Sequence, residues 1–205
     1  MELKRSEYMN EINQAKLDAA FVAELVQAVH PKRQVREKRE MTSQVLMVLA
    51  EEAPDRIVPF IKDFYQSLAD KNAFSKMVSL YCITGLVLAE REPQFSDRID
   101  QFLAMLEDDS VMIASHCALN AGRIAKKYPV YEPNITARFL NVKDLPHKQK
   151  GLITAYVIEA FEGFAKKSVR LDEINAFVWQ QLENQSPKAR QAAQNFLAHA
   201  GISTV

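Results

Sequence analysis

Apolar residues return every three or four positions along most of this chain. Ile99, Phe102, Leu103 and Leu106 form one such stripe, and Val45, Val48 and Leu49 another; this is the period of α-helices that bury one face. The stripes end in a signature that recurs. Leu49-Ala50-Glu51-Glu52-Ala53-Pro54 is followed by Leu88-Ala89-Glu90-Arg91-Glu92-Pro93 and Ile124-Ala125-Lys126-Lys127-Tyr128-Pro129. A fourth copy, Phe164-Ala165-Lys166-Lys167-Ser168-Val169, loses the proline, and a fifth, Leu197-Ala198-His199-Ala200-Gly201, ends in glycine. The anchors Leu49, Leu88, Ile124, Phe164 and Leu197 lie 39, 36, 40 and 33 positions apart, a period that belongs to helical repeats. Proline or glycine just past the apolar anchor stops a helix and lets the chain reverse.

Each unit therefore reads as two helices. The first helices are expected over Asp18 to Val29, Arg56 to Leu68, Asp97 to Leu106 and Pro133 to Val142, the second over Gln34 to Ala53, Ala73 to Arg91, Val111 to Tyr128 and His147 to Lys167. In the last unit Asp172 caps a helix running to Leu182, and Ser186-Pro187 opens the next, serine at the cap and proline at the first helical position being standard start chemistry. Residues 1–17, with Met9, Ile12 and Ala15 facing inward, read as a helix capping the open face of the first repeat, as terminal repeats need. Residues 1–205 are then a single repeat domain, with repeats at 18–54, 55–93, 94–129, 130–168 and 169–201.

Ile174 through Leu197 resembles the HEAT repeats, above all the run Leu182-Glu183-Asn184-Gln185-Ser186-Pro187-Lys188-Ala189-Arg190 with its short turn and arginine-bearing second helix; Val35-Arg36-Glu37 and Leu106-Glu107-Asp108-Asp109-Ser110 are similar to the same segment in repeats one and three. The resemblance covers residues 18–201. It implies an all-α fold, a right-handed α-α superhelix of about five antiparallel helix pairs, and a curved surface of the kind solenoids use to hold protein segments. The family also includes DNA alkylation-repair and bilin-handling proteins, so the resemblance alone leaves nucleic-acid binding and cofactor handling open.

Composition narrows the chemistry. The chain has five glycines where ordinary usage of about 7% would give roughly fourteen, and the closest two, Gly151 and Gly163, are twelve residues apart. A glycine-rich phosphate loop is thereby excluded. His30, His116, His147 and His199 fall in different repeats, and no His-Glu-x-x-His or Glu-x-x-His occurs, so a metal built on one helix face is not expected. His116 is read as a hydrogen-bonded core histidine and Glu159-x-x-Glu162 as a solvated edge. Cys82 and Cys117 sit in apolar helical patterns and read as buried hydrophobes. Trp179, spaced from Phe177 and Leu182 like core, reads as inward-facing. The start of the chain lacks an apolar signal region, and the longest uncharged apolar run, Met77 to Ala89, spans thirteen residues, short of the roughly 20 that a membrane helix needs. A cytoplasmic chain that does not engage membranes, without catalytic residues, metal or cofactor, is the expectation.

Charge is balanced overall, 26 acidic against 26 basic side chains, but unevenly placed. Residues 51–109 carry twelve acidic and six basic residues, and residues 126–170 nine basic and four acidic. The densest basic run, Pro31 to Arg39, holds Lys32, Arg33, Arg36, Lys38 and Arg39 where the two helices of repeat one meet. Equivalent turns carry Lys71 and Lys76, Lys148 and Lys150, and Lys188 and Arg190, with Asp108 and Asp109 interrupting in repeat three. Stacked in register, these form a broken basic ridge able to hold a phosphate backbone or an acidic protein segment. Lys126-Lys127 and Lys166-Lys167 are read as cations that complement helix C-termini. The leading expectation is a non-catalytic interaction scaffold for a protein partner, in a monomer or weak dimer; the alternative is nucleic-acid binding along the basic ridge.

Overall fold

The computed structural model describes residues 3–30, 38–90, 95–145 and 147–201. Those residues form eleven α-helices and no strand, gathered into two compact units, Met1–Phe95 and Ser96–Val205.

The first unit contains α1 (Met9–Leu17), α2 (Ala19–Val29), α3 (Arg39–Glu52), α4 (Ile61–Ser67) and α5 (Ala73–Ala89). Asp18 starts α2 as its side chain requires, the carboxylate accepting the N–H groups of Ala20 and Phe21 at 2.9 and 3.1 Å. The second helix, α3, packs against α1, α2 and α5 and is buried without a break from Thr42 to Ala50. It meets α5 at Gly85, where a Cβ atom would lie 2.5 Å from both the Cβ and the carbonyl oxygen of Ala50. Only glycine permits that approach.

The second unit contains α6 (Ile99–Leu103), α7 (Val111–Lys127), α8 (Glu132–Leu140), α9 (Lys150–Phe161), α10 (Leu171–Gln180) and α11 (Pro187–His199). Here α9 packs between α7 and α11, and Gly122 of α7 crosses Ala160 of α9 in the same manner, its added Cβ falling 2.6 Å from that of Ala160. Phe161 is the aromatic centre, with the rings of Phe139, Phe164 and Phe177 at 5.4, 5.6 and 6.1 Å. First helices are one-sided by comparison: α10 buries only Ile174, Phe177 and Val178. Two threonine hydroxyls inside the buried second helices bond back to their own backbone, Thr84 to the Leu80 carbonyl at 2.7 Å and Thr154 to that of Lys150 at 3.0 Å, which satisfies them without a partner helix; Ser75 instead donates to the Val29 carbonyl of α2 at 2.6 Å. Cys82 and Cys117 are fully buried free thiols, as expected, and burial pushes both thiol pKa values up.

Several expectations are corrected. The helix expected from Arg56 opens instead with two 3-10 turns, Pro54–Arg56 and Val58–Phe60, before α4; Pro54 and Pro59 have no N–H to donate and suit only opening positions. Helix α9 stops at Phe161, not Lys167, and Lys166 and Lys167 fall in a separate 3-10 turn beyond Gly163. Asp172 is not a cap: α10 starts at Leu171, and Arg170 before it donates its N–H to the Ser168 hydroxyl at 3.0 Å. Met9 and Trp179 are each 47% exposed, while Ile12, Ala15 and Phe177 are buried; Trp179 lies one residue past the inward-facing Val178 and turns out of the stripe. The Ser186 cap holds, its hydroxyl accepting the Ala189 N–H at 3.4 Å with Pro187 at the first helical position. No helix among the described residues is long and apolar enough to cross a membrane.

Candidate partner-binding edges

Within each unit the turns that open the second helices form one edge, and the turns that close them another. Of the expected basic ridge along the opening edge, Lys32, Arg33 and Arg36 lie outside the described residues. Lys38 and Arg39 occupy the cap and first position of α3, and the Arg39 guanidinium stands 5.8 Å from the ring centre of Phe74 at the start of α5. Lys76, also in the first turn of α5, is half-buried.

In the second unit the ridge residues divide by task. Lys148 and Lys150 border a groove of about 870 Å³ between the start of α9 and the turn before α11, together with Gln149, Gln180, Asn184 and Gln185. The groove is narrowed where Gly151 meets Ser186: an added Cβ would fall 2.6 Å from that of Ser186. Arg190 is committed to the turn, donating to the carbonyls of Asn184 and Gln185 at 2.7 and 3.1 Å. Lys188 turns along α9, its ammonium 3.5 Å from the ring centre of Tyr156 and 3.9 Å from the Glu159 carboxylate. On its other side Lys148 shares a groove of about 410 Å³ with Glu107, Asp109 and His147, so the acidic interruption expected in repeat three sits beside it. Asp108 is a turn former, its carboxylate accepting the Ser110 N–H at 2.9 Å; Asn184 takes the N–H of Ser186 at 2.8 Å in the same way.

The closing-edge lysines Lys126, Lys127, Lys166 and Lys167 are expected to complement helix C-termini. In the first unit Glu51 and Glu52 are exposed and paired with the N-terminal segment: Arg5 reaches both, at 2.9 Å each, and Lys16 pairs with Glu52 at 2.7 Å. Lys16, hydrogen-bonded to Glu52, and then Arg5 hold its carboxyl below the usual carboxylate pKa. In the second unit the same repeat positions carry Lys126, Lys127, Lys166 and Lys167, all exposed. Between the two turns lies a cavity of about 340 Å³ walled by Ala125, Pro129, Gly163 and Phe164 and rimmed by Lys126, Lys166 and Lys167. On its floor is Glu132, which the sequence reading missed: 7% exposed, it accepts hydroxyl protons from Thr136 and Ser168 at 2.5 and 2.7 Å. A glutamate opening a helix just before Pro133 reads only as a dipole partner; its link to Ser168, 36 residues on, is tertiary.

His116 is half-buried, and burial holds its imidazole below the usual pKa. His199 lies 3.5 Å from Glu162. Among the described residues no three His, Cys, Asp or Glu side chains converge as metal ligands.

No family model and no curated protein matches the chain. Solved structures do. A designed armadillo repeat protein in complex with the peptide (KR)4 shares 11% identity at a TM-score of 0.58, covering 95% of this chain and 91% of its own. A second designed armadillo repeat protein shares 12% identity at a TM-score of 0.57, over 95% of this chain and 92% of its own. At such identity the likeness speaks to fold: the chain is an all-helical repeat solenoid of the armadillo-like kind.

Proposed function

We infer that this chain is a non-catalytic scaffold of HEAT-like repeats, one repeat domain of five helix pairs, that binds a segment of a protein partner in the cytoplasm. The observation that carries this reading is the likeness, over 95% of the chain, to a designed repeat protein solved with a peptide bound. The groove beside Lys148 and Lys150 supports it, because Gln149, Gln180 and Gln185 expose carboxamides there, and each carboxamide can both donate to and accept from a peptide main chain. The cations also stand against local preference. Lys38 and Arg39 at the start of α3, Lys150 at the start of α9 and Lys188 in the first turn of α11 oppose the positive end of the helix dipole, and residues that break a local rule concentrate at functional surfaces. Immobilised chain exposed to native extract should retain a defined protein partner, and Lys148→Glu with Lys150→Glu should lower its retention; recovery of no protein at any salt would count against the reading.

Nucleic-acid binding is the second reading, favoured by the same dipole-opposed cations. Titration with labelled duplex separates the two: affinity through phosphates must fall steeply with salt, and duplex binding that ignores salt removes this alternative.

A further inference from the structure

We propose that the closing edge of the second unit docks an acidic protein segment carrying an apolar side chain, with its carboxylates on Lys126, Lys166 and Lys167 and the apolar group in the cavity between Ala125 and Phe164. The proposal rests on the protein-binding reading and adds a second contact surface with a defined partner chemistry. Its first support is charge. Lys126, Lys166 and Lys167 make no ion pair with a carboxylate among the described residues; the Lys166 ammonium reaches only the carbonyl of His199, at 3.4 Å. Two carboxylates line the cavity, Glu132 bonded by two neutral hydroxyls and Glu162 3.5 Å from His199; neither pairs with these three lysines, which outnumber them. Complementing a helix C-terminus would account for Lys126 and Lys127 in the last turn of α7. Lys166 and Lys167 follow the end of α9 by five and six residues; Lys166 instead serves the C-terminus of α11, whose His199 carbonyl it reaches, and Lys167 makes no such contact among the described residues.

The second support is apolar exposure at the same place. Val130 and Val169 follow the closing turns of α7 and α9 at matching repeat positions and are 63% and 92% exposed. Each adjoins the cavity along the chain, Val130 following the wall residue Pro129 and Val169 following Ser168, which bonds Glu132; the cavity itself is walled by buried Ala125 and Phe164. Clustered apolar exposure within a polar rim marks interaction surfaces, whereas isolated exposed valines do not. The third support is internal precedent. The same repeat positions in the first unit, Glu51 and Glu52, are exposed but already paired within the chain, by Arg5 and Lys16 of the N-terminal segment. The second unit presents the reversed charge, and no described segment lies over it.

The test is selection of a displayed library of random dodecapeptides on the folded chain, followed by binding of the selected peptides to Lys126→Glu/Lys166→Glu, to Val169→Ser and to the charge-matched control Arg56→Glu/Lys62→Glu. Lys62, Lys126, Lys166 and Val169 are exposed and Arg56 is half-buried, and thermal melting by circular dichroism confirms that each variant folds. The expected pool is net acidic with interspersed apolar residues; its affinity falls roughly tenfold or more on the double lysine variant, about threefold on Val169→Ser, and holds on the control. A pool that is not acidic, or acidic peptides that bind the lysine variant equally well, overturns the proposal while leaving the protein-binding reading intact. Phosphatidylserine-containing vesicles or duplex DNA captured by these lysines in preference to the selected peptides also overturns it. An empty pool removes both readings.

Discussion

The two units share an interior rule and differ at their edges. In each, neighbouring second helices close to backbone contact at a glycine facing an alanine, Gly85 on Ala50 in the first and Gly122 on Ala160 in the second. The closing turns of those same helices then carry opposite charge: Glu51 and Glu52 paired with Arg5 and Lys16, against Lys126 and Lys166 with no carboxylate of the described residues paired to them. The contrast separates what stacking demands from what it leaves free. Helix crossing distance is fixed by packing and tolerates almost no added volume, while a solvated turn accepts either sign, so edge charge can record what each edge touches.

The interior rule breaks most severely at Phe161, which is fully buried against three other phenylalanines. Phe161→Ala should cost about 3–5 kcal/mol in urea unfolding, whereas Val169→Ala, eight residues later and 92% exposed, should fall within about 0.5 kcal/mol of wild type. Next come the glycines. Gly85→Ala places a methyl group 2.5 Å from the Ala50 backbone carbonyl, while Gly122→Ala meets the Ala160 side chain first, with its backbone at 3.1 Å and beyond. Both should destabilise, by about 1–3 kcal/mol, with Gly85→Ala the costlier because it meets two backbone atoms of Ala50 as well as its Cβ within 2.8 Å, where Gly122→Ala meets only the Ala160 Cβ that closely. Equal and negligible costs would mean the helices separate freely and the shared rule is wrong.

How much of this was legible follows from the same division. Helix ends at Glu52 and Lys127 were readable because Pro54 and Pro129 enforce them. The end of α9 was misread because the fourth signature lacks its proline, and the periodic pattern runs on past Gly163 with nothing in one dimension to stop it. Asp172 has the right chemistry for a cap, yet the cap position fell to Arg170, whose N–H is taken by Ser168; Ser168 is itself held by Glu132 from 36 residues earlier. The lysines of the closing edge were visible as letters, but their meaning was not. Neither the exposure of Val130 and Val169 nor the ion pairs on Glu52 can be read without neighbours. Likewise Lys188 and Arg190 look equivalent to Lys148 and Lys150 in register, and only coordinates show them spent on Tyr156 and on two carbonyls.

The smallest effect tests the edge contrast directly. Glu52 accepts from Lys16 at 2.7 Å and pairs with Arg5 at 2.9 Å, and these contacts depress its carboxyl pKa. A carboxyl whose folded pKa lies below its unfolded value of about 4.3 stabilises the fold above that value and loses the contribution as pH falls through the folded pKa. Glu52→Gln should therefore lower stability at neutral pH by about 0.2–1 kcal/mol, by less at high salt, and by nothing once the pH is low enough to protonate wild-type Glu52 in the folded state. Lys126→Gln should show no comparable loss, because no carboxylate of the described residues pairs with it. If urea titrations across this pH range found Lys126→Gln as costly as Glu52→Gln, the second edge would already be neutralised within the chain, and the asymmetry between the two units would vanish.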